Sequence, residues 1–146
     1  MNEAISKFYD LHVTGLGYLN RVRTVQPKKG QPFLACSIAA LRGEWNAEQN
    51  IKPETTRFDV RVYGQQALDA IECLKASIEG KKAIIVQFKI GDIYAESYVF
   101  EKDVGTFKKG DTGVMIKGRL LKLAKAWVEG DEVELPKSES EQTEAA

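Results

Sequence analysis

The chain has 146 residues, 43% of them hydrophobic and 29% charged, enough for one domain with its own core and too few for two comfortable ones. Its formal net charge of zero hides an uneven distribution: residues 1–128 hold 20 Lys/Arg against 14 Asp/Glu, whereas 129–146 hold one Lys and seven Asp/Glu. A basic body with an acidic end hints at a polyanion-binding surface.

The longest purely apolar runs, Ala83–Val86 among them, are far too short to span a bilayer. The opening Met-Asn-Glu-Ala-Ile-Ser-Lys lacks the basic and apolar regions of a signal peptide. A soluble, cytoplasmic protein that does not enter membranes is therefore expected. Cys36 and Cys73 each lie in an apolar pattern and read as two buried thiols, not as a disulfide or a CxxC metal site. With His12 as the one histidine, no zinc spacing is recognisable, and no cofactor or metal is expected.

In chain order, Leu11, Val13 and Gly15 begin a strand that runs to Val25, with Gly15 and Gly17 suggesting a bend or bulge within it. Gln26–Pro32 is a turn by its Pro and Gly content. Phe33–Leu41 alternates Leu34, Cys36, Ile38 and Ala40 against Phe33, Ala35, Ser37 and Ala39, a second strand antiparallel to the first. Arg42–Thr55 reads as a long loop. Arg57–Tyr63 alternates strictly, Phe58, Val60 and Val62 inward and Arg57, Asp59, Arg61 and Tyr63 outward. Gln65–Glu79 switches to helical spacing, with Leu68, Ile71, Cys73, Leu74 and Ile78 on one side and Gly80 as the stop. Ala83–Ile90 and Ile93–Phe100 read as a hairpin about Gly91-Asp92. Lys108–Asp111 is another turn. Val114–Trp127 is a last strand bent near Gly118, although Arg119–Trp127 also fits a helical period.

This order describes an all-β fold with one helix: an OB-fold, a five-stranded Greek-key barrel with its helix between strands three and four. The domain spans 1–128. Residues 129–146, acidic and poor in apolar groups, are expected to be a disordered tail.

Motifs for catalysis are missing. There is no nucleophile elbow, P-loop or HExxH, and Gly15-Leu16-Gly17 is a fragment of a dinucleotide pattern followed by strand where that pattern needs a helix. A non-enzymatic protein is expected. Cations interleaved with rings are present instead. Single-stranded nucleic acid needs cations along its phosphates and flat rings under its bases. The candidates are Arg57, Arg61 and Tyr63 on the wet face of the third strand, Tyr94 and Tyr98 on one face of a later strand, Arg21 and Arg23 on the first, Lys28 and Lys29 in the turn, Arg42 and Trp45 at the loop, and Lys117, Arg119 and Trp127 on the last strand. The same residue types populate protein interfaces, so a protein–protein interaction module of a replication or conjugation complex is the competing reading.

Thr55–Gly64, the helix after it and the Lys81–Phe88 strand resemble the single-stranded DNA-binding (SSB) proteins of bacteria. The Val13–Gly17 opening into a basic strand is similar to that family's start. Residues 5–128 as a whole resemble SSB-like replication proteins of integrative and conjugative elements. The resemblance implies binding of single-stranded DNA in replication or transfer of a mobile element, with Tyr63 as a stacking ring and Trp45 near another, and assembly as a dimer or tetramer. Arg57 stands where that family often has a tryptophan. The family's hydrophobic tail tip is replaced here by Thr143-Glu144-Ala145-Ala146.

Overall fold

The computed structural model describes residues 9–137. Six strands and two short helices follow in the order β1 (His12–Val25), β2 (Phe33–Arg42), β3 (Glu54–Val62), α1 (Gln65–Cys73), α2 (Lys75–Glu79), β4 (Ile84–Val99), β5 (Thr112–Val128) and β6 (Asp131–Val133). The strands run β3-β2-β1-β4-β5-β6, and β3 also pairs with β5. That last pairing is parallel, Phe58–Val62 against Ile116–Leu120, and closes five strands into a mixed barrel. The helices cross from β3 to β4. This is the OB-like barrel expected from the sequence.

The strict alternation in β3 explains the wall. Phe58, Val60 and Val62 are buried, and they meet Cys36, Ile38, Val86, Phe88, Ile90, Leu120 and Leu123 in one core. Burial of this apolar area, at roughly 25 cal/mol per Å², is the main force holding the closed sheet. Cys36 is fully buried. Burial, then the negative charge of Asp59, pushes its thiol up to about 12, against a smaller lowering by Arg23.

Several elements depart from the sequence expectation. Gly91-Asp92 is not a hairpin turn. β4 continues through it as one 16-residue strand: Gly91 pairs with Arg119, and Asp92 and Ile93 form a bulge opposite Gly118 in the β4–β5 ladder, with Asp92 at φ 55. The hairpin is instead between β4 and β5, through residues 100–111. From Tyr94 to Val99, β4 pairs with β5 alone, and all six residues are exposed. Ala95, Ser97 and Val99 are therefore not core. They form the reverse face of a two-stranded arm.

The last strand is strand throughout. Its buried Leu120, Leu123 and Ala126 recur every three residues because two bulges insert Leu121 and Ala124 between ladder pairs. That insertion mimics a helical period. In β1 the register shift lies between Asn20 and Arg23, with Arg21 at φ 50, and not at the glycines. Gly17 serves close packing instead. A Cβ there would stand 2.8 Å from Ile38 Cγ2 and 2.7 Å from the Ala39 carbonyl, so only glycine lets β1 sit so close to β2.

The single helix expected over 65–79 is broken at Leu74 into α1 and α2. Ala67, Ala70, Ile71 and Leu74 form the buried stripe, spaced i, i+3, i+4, i+7. Cys73 falls off that stripe and is exposed, contrary to the expectation of two buried thiols. The acidic end is also ordered further than expected. Glu129 and Gly130, both at positive φ, make a two-residue turn that returns β6 along β5. Val133 and Leu135 pack on the core, and the Gln66 amide donates to the carbonyls of Leu123 and Pro136 at 2.7 and 2.8 Å. Two apolar anchors and one buried amide are enough to hold this stretch. Residues 138–146 of the expected tail lie outside the described residues.

Candidate nucleic-acid interface

The outward face of β3 is the floor of the site. β2 and β1 extend it on one side through the pairs Asp59–Ser37 and Arg61–Ala35. β5 extends it on the other through Asp59–Lys117 and Arg61–Arg119. The arm rises from the β5 side, carrying Tyr94 opposite Lys117 and Tyr98 opposite Gly113. Because side chains alternate along the ribbon, Tyr94, Glu96 and Tyr98 share the face that looks over this floor.

Three cavities follow this face. One of about 320 Å³ is lined by Arg23, Phe33, Asp59, Arg61, Tyr94 and Lys117, among others. A second, of about 240 Å³, shares Asp59 and adds Arg21, Arg57, Tyr98 and Met115, among others. A third, of about 450 Å³, holds Tyr9, Asp10, His12, Tyr63, Asp92, Arg119 and Leu121. Of the fourteen candidate residues, these cavities bring together Arg21, Arg23, Arg57, Arg61, Tyr63, Tyr94, Tyr98, Lys117 and Arg119.

The rings remain available. Tyr94 is 57% and Tyr63 56% exposed. Tyr98 is more enclosed. It lies across Gly113, where any Cβ would collide with its ring, and packs tilted on Phe100 at 5.2 Å. Phe100 in turn stacks on Phe107 at 4.7 Å near the arm tip. Arg61 sits 4.5 Å over the ring of Phe33, and Arg119 sits 4.7 Å over that of Tyr63. These cation–π contacts hold guanidinium planes against rings without consuming their hydrogen-bond donors.

The charges are interleaved. Arg23 Nη2 bonds Asp59 Oδ1 at 3.0 Å, Lys117 bonds Glu96 at 2.8 Å and Arg119 lies 3.7 Å from Asp92. The hydrogen bond from Lys117 to Glu96 raises the ammonium pKa above its ordinary value, against a lowering by desolvation. Arg57 donates to Ser37 Oγ at 3.4 Å. Among the described residues, Arg21, Arg57 and Arg61 enter no ion pair. They are the cations this groove holds unneutralised.

Five candidates fall elsewhere. Lys28 and Lys29 stand in the exposed β1–β2 turn, beyond the Phe33 end of the floor, and line none of the three cavities. Arg42 pairs with Glu54 at 2.7 Å at the root of the 43–53 loop. Trp45 stands on that loop, 68% exposed, away from the cavities. Trp127 lies furthest along β5 from the groove residues Lys117 and Arg119. It keeps the outward phase of Arg119, since the two β5 bulges cancel, but it pairs with Ile85, a different stretch of wall from the Gly91 that Arg119 faces, and lines none of the three cavities. Phe33, Asp59 and Met115 were missed. The signal for Phe33 was a large ring on the wetter face of its strand. Met115 carried no comparable mark.

No curated protein and no solved structure matches the chain. One family model does match, over residues 2–143, and its description is a protein of unknown function, DUF3577. Since that match covers nearly the whole chain, this barrel protein belongs to the DUF3577 family.

Proposed function

We propose that this protein binds single-stranded DNA, without catalysis, along the groove between the β3 face and the β4–β5 arm. The observation that carries the reading is the meeting of the exposed Tyr94 with Arg61, Phe33 and Lys117 around one cavity. Rings there can receive bases, and Arg21, Arg57 and Arg61 can follow phosphates. The resemblance to SSB-like proteins supports a role in replication or transfer of a mobile element. The test is a titration of the purified chain with a fluorescent oligonucleotide at several salt concentrations. Saturable binding that weakens as salt rises is expected, because phosphate contacts release counterions. No binding at low salt overturns the reading.

A protein-contact role draws on a separate observation. On the reverse face of the arm, Val99 and Val114 are 61% and 68% exposed, more apolar surface than a free ribbon gains from. This favours self-association as a dimer or tetramer. Light scattering tests it: a mass equal to one chain at micromolar concentration refutes it. No described helix is long and apolar enough to cross a membrane.

A further inference from the structure

The groove contains acidic groups that a purely phosphate-binding surface would avoid, and one of them is central. Asp59 lies at its centre, shared by the two cavities under the arm, with its side chain 17% exposed. Its side-chain bonds both fall on Oδ1, from Arg23 Nη2 at 3.0 Å and from Ser37 Oγ at 3.4 Å. Among the described residues Oδ2 accepts nothing, and no buried side-chain polar atom is left without a partner. Oδ2 is therefore open to the groove, an acceptor awaiting a donor.

A phosphate set against this carboxylate would be repelled. A base edge would not, provided that it offers donors. The walls suit a base: Tyr94 on the arm supplies a flat surface, the guanidinium of Arg61 held over Phe33 supplies another, and Lys117 borders the same 320 Å³ space. That volume lies in the range of small-molecule pockets, about 300–1,000 Å³. The four DNA bases differ in what they would present to Asp59. Thymine offers one N–H between two carbonyls, so acceptors would face the carboxylate. Cytosine and adenine offer an amino group beside an acceptor nitrogen. Guanine alone offers two adjacent donors, N1–H and the 2-amino group, and its O6 and N7 acceptors then point away, toward cations. Arg and Lys are the usual partners of those two atoms, and Arg61 and Lys117 line the same cavity as Asp59.

We infer that the cavity around Asp59 takes one guanine base of the bound strand, Asp59 Oδ2 accepting from its parallel N1–H and 2-amino N–H together, while Arg61 and Lys117 serve its O6/N7 edge. The inference rests on the strand-binding reading above and deepens it: the protein prefers strands with a guanine at one position. A mispaired base there leaves the carboxylate facing acceptors, which is what generates the selectivity.

The experiment is an anisotropy titration of the full chain with a labelled oligothymidine and with the same oligonucleotide carrying one central deoxyguanosine, deoxyinosine, deoxycytidine or deoxyadenosine. Deoxyguanosine is expected to tighten binding about 10-fold, the value of one good bidentate base contact. Deoxyinosine, which keeps N1–H and lacks the 2-amino group, falls between guanine and thymine. This base series needs no variant. As a second arm, Asp59→Asn abolishes the guanine preference: the ratio of affinities for the deoxyguanosine oligonucleotide and for plain oligothymidine falls to about one, whatever the absolute affinities become. Equal affinity for all five oligonucleotides overturns the inference and leaves strand binding standing. Retention of the full guanine preference by a folded Asp59→Asn chain also overturns it. Failure of every oligonucleotide to bind overturns both readings together.

Discussion

Removing the ring of Tyr94 separates binding from folding more cleanly than any other change in the groove. Tyr94 stands on the arm, more than half exposed, and touches no part of the barrel core. Tyr94→Ala therefore costs the fold no more than about 0.5 kcal/mol, as for an ordinary surface position. A base stacked on the ring loses about 1–3 kcal/mol by the same truncation. At 1.4 kcal/mol per factor of ten, that is a drop in affinity of about 5- to 150-fold. The assay pairs an oligonucleotide titration with a thermal melt of the same sample. Trp127→Ala is the control: it removes a half-buried ring from the far wall, so it lowers the melting temperature and leaves affinity alone. Unchanged affinity in a folded Tyr94→Ala chain refutes the stacking argument. A loss in Trp127→Ala as large as in Tyr94→Ala shows instead that the strand follows a different wall.

Salt dependence reports the unpaired cations. If Arg21, Arg57 and Arg61 each meet a phosphate, log affinity should fall against log salt with a slope of about −2, whereas a flat plot means that no phosphate is engaged. Gly113→Ala pushes a methyl into the Tyr98 ring, so it should weaken binding by displacing that ring and add little to Tyr98→Ala in the double variant; full additivity counts against the coupling. Cys36 gives the chain a pH signature. Its folded pKa is raised from 9.0 to about 12, so its contribution to stability is complete below pH 9.0 and is lost as pH climbs toward 12. Denaturant melts on the two sides of pH 9.0 should show a drop in wild type that is smaller in Cys36→Ala; an equal drop means the buried thiol contributes nothing.

Local periodicity was enough for the barrel. The period-two alternation of Arg57–Tyr63 and of Phe33–Leu41 assigns each side chain to a face, because successive residues of a strand point oppositely. The switch of period at Gln65 marks the crossover helix, and with strand order it leaves few closed topologies. Those signals are carried by neighbours in the chain, so they are readable one segment at a time. The bulges are not of that kind. The extra residues at Leu121 and Ala124 are defined only against β4, and they decided that the end of β5 is not a helix. The same holds for Gly91-Asp92, which has the composition of a turn but has β5 alongside to carry the strand through it.

The candidate site divides in the same way. Arg57, Arg61 and Tyr63 declared a wet face by their spacing alone. That Phe33 carries Arg61 depended on the pairing of β2 with β3, and that Tyr94 and Lys117 stand over that face, with Asp59 between the two cavities and one of its oxygens free, depended on the parallel seam between β3 and β5. Charge and ring content are properties of the chain, whereas a groove is a property of which strands become neighbours, and strands far apart in sequence are brought together only by closing the barrel.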